Sequence, residues 1–261
     1  MNGKTIMSLE GRKAVVIGGA GGIGHAIAIG LAEAGAEVAI ASRNEEKLKE
    51  TVEKAREEKG VELKYFTVDV SDEQSIVDLA KKANEVMGTV TILVNSQGLN
   101  KKSPTVEMPT ETWDAMFSVN VRGMMIACRE FARYMIEKNY GKIINITSIR
   151  GIRAVMNGKG NTCYSSTKGA VDMLTKSLAS EWAENNITVN GIGPIVTMTP
   201  MMEAIYAGDE SRKANAARNV PMHRLGEPED CVGPAIFLAS AASDFVTGQV
   251  LYPDGGMSAI V

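Results

Sequence analysis

Histidine is nearly missing from this chain. Its 261 residues contain two, His25 and His223, so a histidine-built metal centre or a Ser-His-Asp triad has almost no material. Cysteine is scarce as well. Cys128, Cys163 and Cys231 are far apart and odd in number, which excludes a disulfide framework and a CxxC metal clamp and leads to the expectation of a reducing, cytoplasmic compartment. Neither charge sign dominates: 28 Lys and Arg stand against 31 Asp and Glu, a formal net charge of −3, so no field marks a nucleic-acid or anionic-membrane partner. No run of about 18 apolar residues occurs, and Met1 to Gly11 lacks the apolar stretch of a signal peptide, so neither export nor membrane anchoring is expected. There is no Pro/Ser linker and no repeat with a period of about 20 to 50 residues. What is present is 44% apolar and 23% charged residues, the ordinary globular range, in a chain long enough for one large core. The expectation is a single domain over residues 1–261, with no metal, whose chemistry rests on other side chains.

Seven short apolar runs punctuate the chain: Ala14 to Ile17, Val38 to Ala41, Leu63 to Val68, Val90 to Val94, Lys142 to Thr147, Ile187 to Ile192 and Gln249 to Tyr252. Between the first six lie amphipathic stretches, such as the charged Glu45 to Lys59 and the segment Thr110 to Lys138 with apolar residues at helical spacing. Continuous apolar strands are buried on both faces, and parallel neighbours need crossovers of about a dozen residues or more. The alternation therefore predicts an α/β fold with a doubly wound parallel sheet of about seven strands. It lapses between Pro194 and Asn219, which makes 194–219 a candidate substrate lid.

Immediately after the first run comes Gly18-Gly19-Ala20-Gly21-Gly22-Ile23-Gly24, leading into a helical stretch from His25 to Ala34. A GxxxGxG spacing alone is compatible with a tight turn and no ligand. Between a strand and a helix it points to a dinucleotide, because glycine lets backbone approach a pyrophosphate and the helix N-terminus offers free N–H groups and a positive dipole end. The second run ends in Ala41-Ser42-Arg43-Asn44, about where an NAD-binding sheet offers an acid to the ribose hydroxyls. No acid stands there. Arg43 suits a bidentate grip on a ribose 2′-phosphate, its plainer alternative being an exposed arginine that opens a helix. NADP(H) is expected ahead of NAD(H).

Tyr164 and Lys168 stand at i and i+4, a phenol and an ammonium on one helix face. Tyr134 and Lys138 repeat the spacing, so position must decide between them. Tyr134 lies deep in a helical segment with no strand end just upstream and reads as a surface or interface pair. Tyr164 follows the strand Lys142 to Thr147, whose carboxyl end carries Ser148, and active sites of open α/β sheets lie outside the carboxyl ends of strands.

These motifs, spread over nearly the whole chain, resemble the short-chain dehydrogenase/reductase family: the glycine turn, Asp69-Val70, Asn95 with Gly98, Asn120, Ser148, Tyr164 with Lys168, Pro194 with Thr199, and Asp254-Gly255-Gly256. The resemblance implies a Rossmann sheet, nicotinamide-dependent interconversion of carbonyl and alcohol, and a homotetramer. It assigns catalysis to Asn120, Ser148, Tyr164 and Lys168. Cofactor binding falls to Gly18, Gly22, Ile23, Gly24, Ser42, Arg43, Asp69, Val70, Asn95, Thr197 and Thr199, with Tyr164 and Lys168 shared. Four features depart from the family's pattern: Ile17 in place of Thr, Ser96-Gln97 in place of Asn-Ala, Ile195 in place of Gly, and a longer gap between Ser148 and Tyr164.

Chemistry supports the assignment independently. Hydride delivery to a carbonyl carbon leaves an alkoxide, which needs a proton donor and hydrogen bonds at the developing charge. Tyr164 can donate that proton if its pKa, near 10 when free, falls by about 2 to 3 units, and Lys168 one turn away can provide part of that stabilisation. By resemblance Lys168 also holds the nicotinamide ribose, Ser148 bonds the substrate oxygen and Asn120 orients a water. Lys101, Lys102, Arg150 and Arg153 gather near the expected pocket, and Lys102 and Arg150 are candidate partners of an anionic small-molecule substrate. Ser42-Arg43-Asn44 and Gly98-Leu99-Asn100-Lys101-Lys102 resemble the gluconate 5-dehydrogenase group, which acts on a sugar acid. A 3-oxoacyl thioester reductase and a non-catalytic nucleotide sensor are the alternatives.

Overall fold

The computed structural model describes residues 3–154 and 160–260. The strands among the described residues are β1 (Lys13–Ile17), β2 (Glu37–Ser42), β3 (Leu63–Thr67), β4 (Ile92–Asn95), β5 (Gly141–Ile146), β6 (Ile187–Ile192) and β7 (Val250–Leu251). The α-helices among the described residues are α1 (Gly3–Ile6), α2 (Gly22–Glu33), α3 (Glu45–Lys59), α4 (Glu73–Met87), α5 (Thr110–Phe117), α6 (Gly123–Lys138), α7 (Thr162–Trp182), α8 (Pro200–Tyr206), α9 (Glu210–Arg218) and α10 (Val232–Ala239). All strand pairs are parallel, in the order β3-β2-β1-β4-β5-β6-β7. Each expected run yields a strand, the last reduced to two residues, and Glu45–Lys59 forms the expected helix between an Asn44 N-cap and Gly60 in the left-handed region.

Alternate residues of each strand face opposite layers. Val15 and Ile17 point to a core shared with α4, α6 and α7, whereas Ala14 and Val16 point to one shared with α2, α3 and α10. Burial on both sides explains why the strands read as continuous apolar runs. The chain starts at β1, winds outward to β3, then returns to place β4 on the other side of β1. That reversal opens a crevice at the carboxyl ends of β1 and β4.

Three segments differ in detail from the sequence reading. The helix after the glycine turn starts at Gly22 instead of His25. Thr110 to Lys138 is interrupted by a π turn, Ser118–Arg122. Within 194–219 the chain forms α8 and α9, whose apolar residues join a small cluster of their own around Met198, Tyr206 and Leu225. Among the described residues, no helix is long and apolar enough to cross a membrane.

Candidate active site

The crevice is built by close backbone approach. Gly18 adopts φ +83°, and a Cβ there would lie 2.7 Å from the carbonyl carbon of Ser96, in the loop after β4. A Cβ on Gly24 would collide with the Gly18 carbonyl. Ser96 N–H donates to Ile17 O at 2.8 Å and joins the two loops. Gly21 at the N-cap of α2 offers no side chain to the first turn, leaving its leading N–H groups without a side-chain acceptor. This uncapped helix start behind a glycine cradle fits the pyrophosphate of a nicotinamide dinucleotide.

The other predicted cofactor residues surround this turn unevenly. Arg43 is exposed and makes no hydrogen bond or ion pair among the described residues. Asp69 carries two hydrogen bonds from Ser71, which with the Arg43 charge hold its carboxyl below the usual range against the cost of burial. Ser42 is half-buried and its carbonyl accepts from Val68 N–H. Thr199 caps α8, and its methyl carbon stands 3.0 Å from where a Cβ on Gly22 would lie. Thr197 is buried, its hydroxyl bonded to Ile195 O at 2.9 Å. Ile23 packs against the α2 side of the core, and Val70 is buried with its carbonyl pressed on Gly123. Asn95 turns away from the crevice: its amide donates to Asn145 Oδ1 at 2.9 Å and Cys128 Sγ at 3.2 Å inside the protein, so only its backbone faces the cofactor side.

The catalytic candidates meet at the next strand end. Lys168 is buried, donates to Ile146 O at 2.8 Å and holds its Nζ 5.6 Å from the Tyr164 ring centroid. Burial brings its pKa down to about 8, with Asp172 pulling the other way. Burial raises the Tyr164 pKa, while the nearby Ser148 hydroxyl and then the Arg150 guanidinium favour the phenolate. Two cations therefore stand beside Tyr164: the Arg150 guanidinium favours the phenolate, while the Lys168 ammonium, tethered to a strand carbonyl, meets the ring. Burial lowers the Arg150 pKa in turn, and its Nη1 donates to Ala154 O at 3.3 Å. Ser148 Oγ accepts from Arg150 N–H at 3.1 Å and so starts the short turn Ile149–Gly151.

Asn120 sits in the π turn, fully buried. Its Oδ1 accepts from Leu99 N–H at 2.7 Å, and its Nδ2 donates to Leu99 O at 2.9 Å and Thr167 Oγ1 at 3.0 Å. Its side chain thus clamps the loop after β4 to α7, and only the backbone of this wide turn remains to meet a water. Lys102 is exposed on a loop that Ser103 N–H joins to Gly160 O at 3.4 Å, beside the approach to α7. Tyr134 lines a surface cleft with Lys81, Asn84 and Thr89. Thr89 lies just ahead of β4, so this second Tyr-Lys pair is at the opposite end of the sheet.

Three residues escaped the sequence reading. Lys47 places its ammonium 3.4 Å from the Cβ position of Gly21, an approach set by how α3 docks and signalled by no spacing. Both side-chain polar atoms of Gln97 are buried without a partner among the described residues, and the departure from the family pattern was the available signal. Asp172 lies one turn beyond Lys168, on the same face at i+4, which the helical period could have found.

A family model described as enoyl-(acyl carrier protein) reductase matches residues 18–258. The chain belongs to the short-chain dehydrogenase/reductase family. It is 36% identical to the gluconate 5-dehydrogenase of Gluconobacter oxydans over 258 residues, 99% of each chain. It is 34% identical to a 3-oxoacyl acyl-carrier-protein reductase of Thermotoga maritima, over 96% of this chain and 99% of that one. The crystal structure of a gluconate 5-dehydrogenase from Burkholderia cenocepacia in complex with NADP and tartrate superimposes with a TM-score of 0.92 at 35% identity, covering 100% of both chains. Members of this family are oxidoreductases that interconvert carbonyls and alcohols with a nicotinamide cofactor.

Proposed function

We propose that this chain oxidises and re-forms a secondary hydroxyl of a sugar acid with NADP(H), in the manner of a gluconate 5-dehydrogenase. One observation carries the substrate class: the half-buried Arg150 guanidinium is near enough to Tyr164 to favour its phenolate and makes no ion pair among the described residues, so a substrate carboxylate can complete it beside the proton donor. The bound nicotinamide supplies the hydride. Tyr164 gives or takes the proton at the substrate oxygen, Ser148 bonds that oxygen, and Lys168 holds the ribose while its charge steadies the ring face of Tyr164. Asn120 keeps the loop after β4 against α7. Arg43, with Lys47 beside it, takes the ribose 2′-phosphate, and the glycine turn takes the pyrophosphate. NAD(H) is the weaker cofactor. Residues 1–261 work as one domain, 194–219 closes over substrate, and the working form is a cytoplasmic homotetramer.

The test is turnover of a panel of sugar acids, polyols and 3-oxoacyl thioesters with each cofactor, followed by nicotinamide absorbance. The expected outcome is oxidation of a sugar acid with NADP, and an Arg150→Ala variant that loses roughly ten- to a hundredfold in kcat/KM on the acid but not on a neutral polyol of similar size. Turnover of the thioesters alone would replace this reading with that of an acyl-thioester reductase.

A further inference from the structure

Lys168 is the most buried cation at the active site, and no carboxylate lies within ion-pair distance of it among the described residues. Its ammonium donates to a neutral carbonyl, Ile146 O. One helical turn further along α7 stands Asp172, itself 7% exposed. Its Oδ2 accepts from Tyr252 OH at 3.4 Å, past β7, and its Oδ1 is buried without a hydrogen-bond partner. The Thr147 hydroxyl is close enough to favour the charged form, although no hydrogen bond of good geometry joins it to the carboxylate. Gly151 packs against this carboxylate so tightly that a Cβ there would overlap it. A carboxylate this deep with one long hydrogen bond is poorly served by its neighbours unless a charge balances it.

We propose that Asp172 is a positioning residue that acts through Lys168, its carboxylate serving as the buried counter-charge that keeps the Lys168 ammonium protonated beneath Tyr164. The proposal deepens the catalytic reading above and rests on it for the role of Lys168. The groups facing Asp172 are few. Lys168 and Lys176 lie on its own helix, Tyr252 reaches in from the end of β7, Thr147 from the end of β5, and the turn Ile149–Gly151 presents only the backbone of Gly151. Burial raises the Asp172 pKa, and the two hydroxyls and two lysines oppose that rise. The Asp172 charge in turn holds the Lys168 pKa up against burial. Tyr252 is pushed up to about 12 by burial and by Asp172, so it stays a neutral donor through the working range.

The variant that isolates the charge is Asp172→Asn, which keeps the shape. NADPH affinity of the parent protein is expected to fall above pH about 8, where Lys168 loses its proton. In Asp172→Asn that fall should begin about one pH unit lower or more, as expected when an opposite charge several ångströms away is removed. Tyr252→Phe, which removes a hydrogen bond but no charge, should leave the fall where it is in the parent. A limb that is absent, or that does not move in Asp172→Asn, overturns the proposal. A thermal cycle decides the matter should Asp172→Asn fold poorly. The Lys168→Met, Asp172→Asn double variant should unfold at a higher temperature than Lys168→Met alone, because the lone carboxylate is gone; additive losses mean that Asp172 does not work through Lys168. Both readouts need no substrate, so they stand even if the sugar-acid assignment fails.

Discussion

Lys142 and Lys168 are both buried lysines, and both are tied to β5, one near its first residue and one at its last. Lys142 is 1% exposed and reaches the carboxylate of Asp244 at 2.8 Å, with the Ser243 hydroxyl at 3.3 Å. Lys168 bonds a backbone carbonyl and keeps its counter-charge a helical turn away. Burial lowers the pKa of each. The difference lies in what can approach. At the amino end of the sheet a paired charge fastens the segment before β7 to the strand, and its work is structural. At the carboxyl end an incompletely partnered charge is left near a crevice, where a ribose and a phenolate can use it. A buried cation is thus a functional signal only when its nearest partner is not already a carboxylate.

The most severe way to break this contrast is Tyr164→Phe, which should cut kcat/KM by about a thousandfold while NADP still binds, in line with loss of a positioned general acid. Tyr134→Phe, at the other end of the sheet, should leave it within about twofold, and steady-state kinetics on both variants checks the pair. Arg43→Asp sharpens the carboxyl-end side. The NADP kcat/KM should fall roughly ten- to a hundredfold and preference should swing toward NAD, because a carboxylate repels the phosphate and accepts ribose hydroxyls. Cofactor competition measured at one substrate concentration reads this directly.

The amino-end lysine should respond in stability alone. Asp244→Asn leaves Lys142 buried without a counter-charge, and since Asp244 is more than half exposed the cost should be about 2 kcal/mol, less than for a fully buried pair, or roughly 4–8 °C in Tm. Lys142→Met should cost less, because the remaining carboxylate is hydrated, and kcat/KM should be unchanged in both. The smallest effect concerns pH. Lys168 titrates near 8 in the folded chain and near 10.5 in the unfolded one, so across that window the unfolded state binds more protons and the contribution of Lys168 to stability improves as pH rises. Melting the parent and Lys168→Met at pH 7 and pH 9.5 should show the difference in Tm moving in the parent's favour.

The sheet was legible because burial on both faces makes each strand an unbroken apolar run, and even the two-residue β7 left its mark in Gln249 to Tyr252. The helix Glu45–Lys59 was legible because its caps are local. The π turn was not, since it exists to bring the Asn120 amide to Leu99, a partner 21 residues away. At the site, the spacing of Tyr164 and Lys168 found the helix face, but which cation acts on the phenol depends on where a flexible chain end is tethered. No periodicity reveals that Lys168 is held by Ile146 O, nor that Asn95 spends its amide on Cys128 and Asn145.

The glycine turn carries an evolutionary consequence. Gly18 and Gly24 are hemmed in by backbone atoms that cannot move aside, so every missense change at either codon introduces a carbon with nowhere to go. Gly98, with no heavy atom nearer than 3.9 Å to its added carbon, and Gly21, which meets only the movable end of Lys47, are open to alanine. Drift among descendants of this chain should therefore replace glycine first at Gly21 within the turn and at Gly98 in the loop after β4, while Gly18 and Gly24 change only together with that loop.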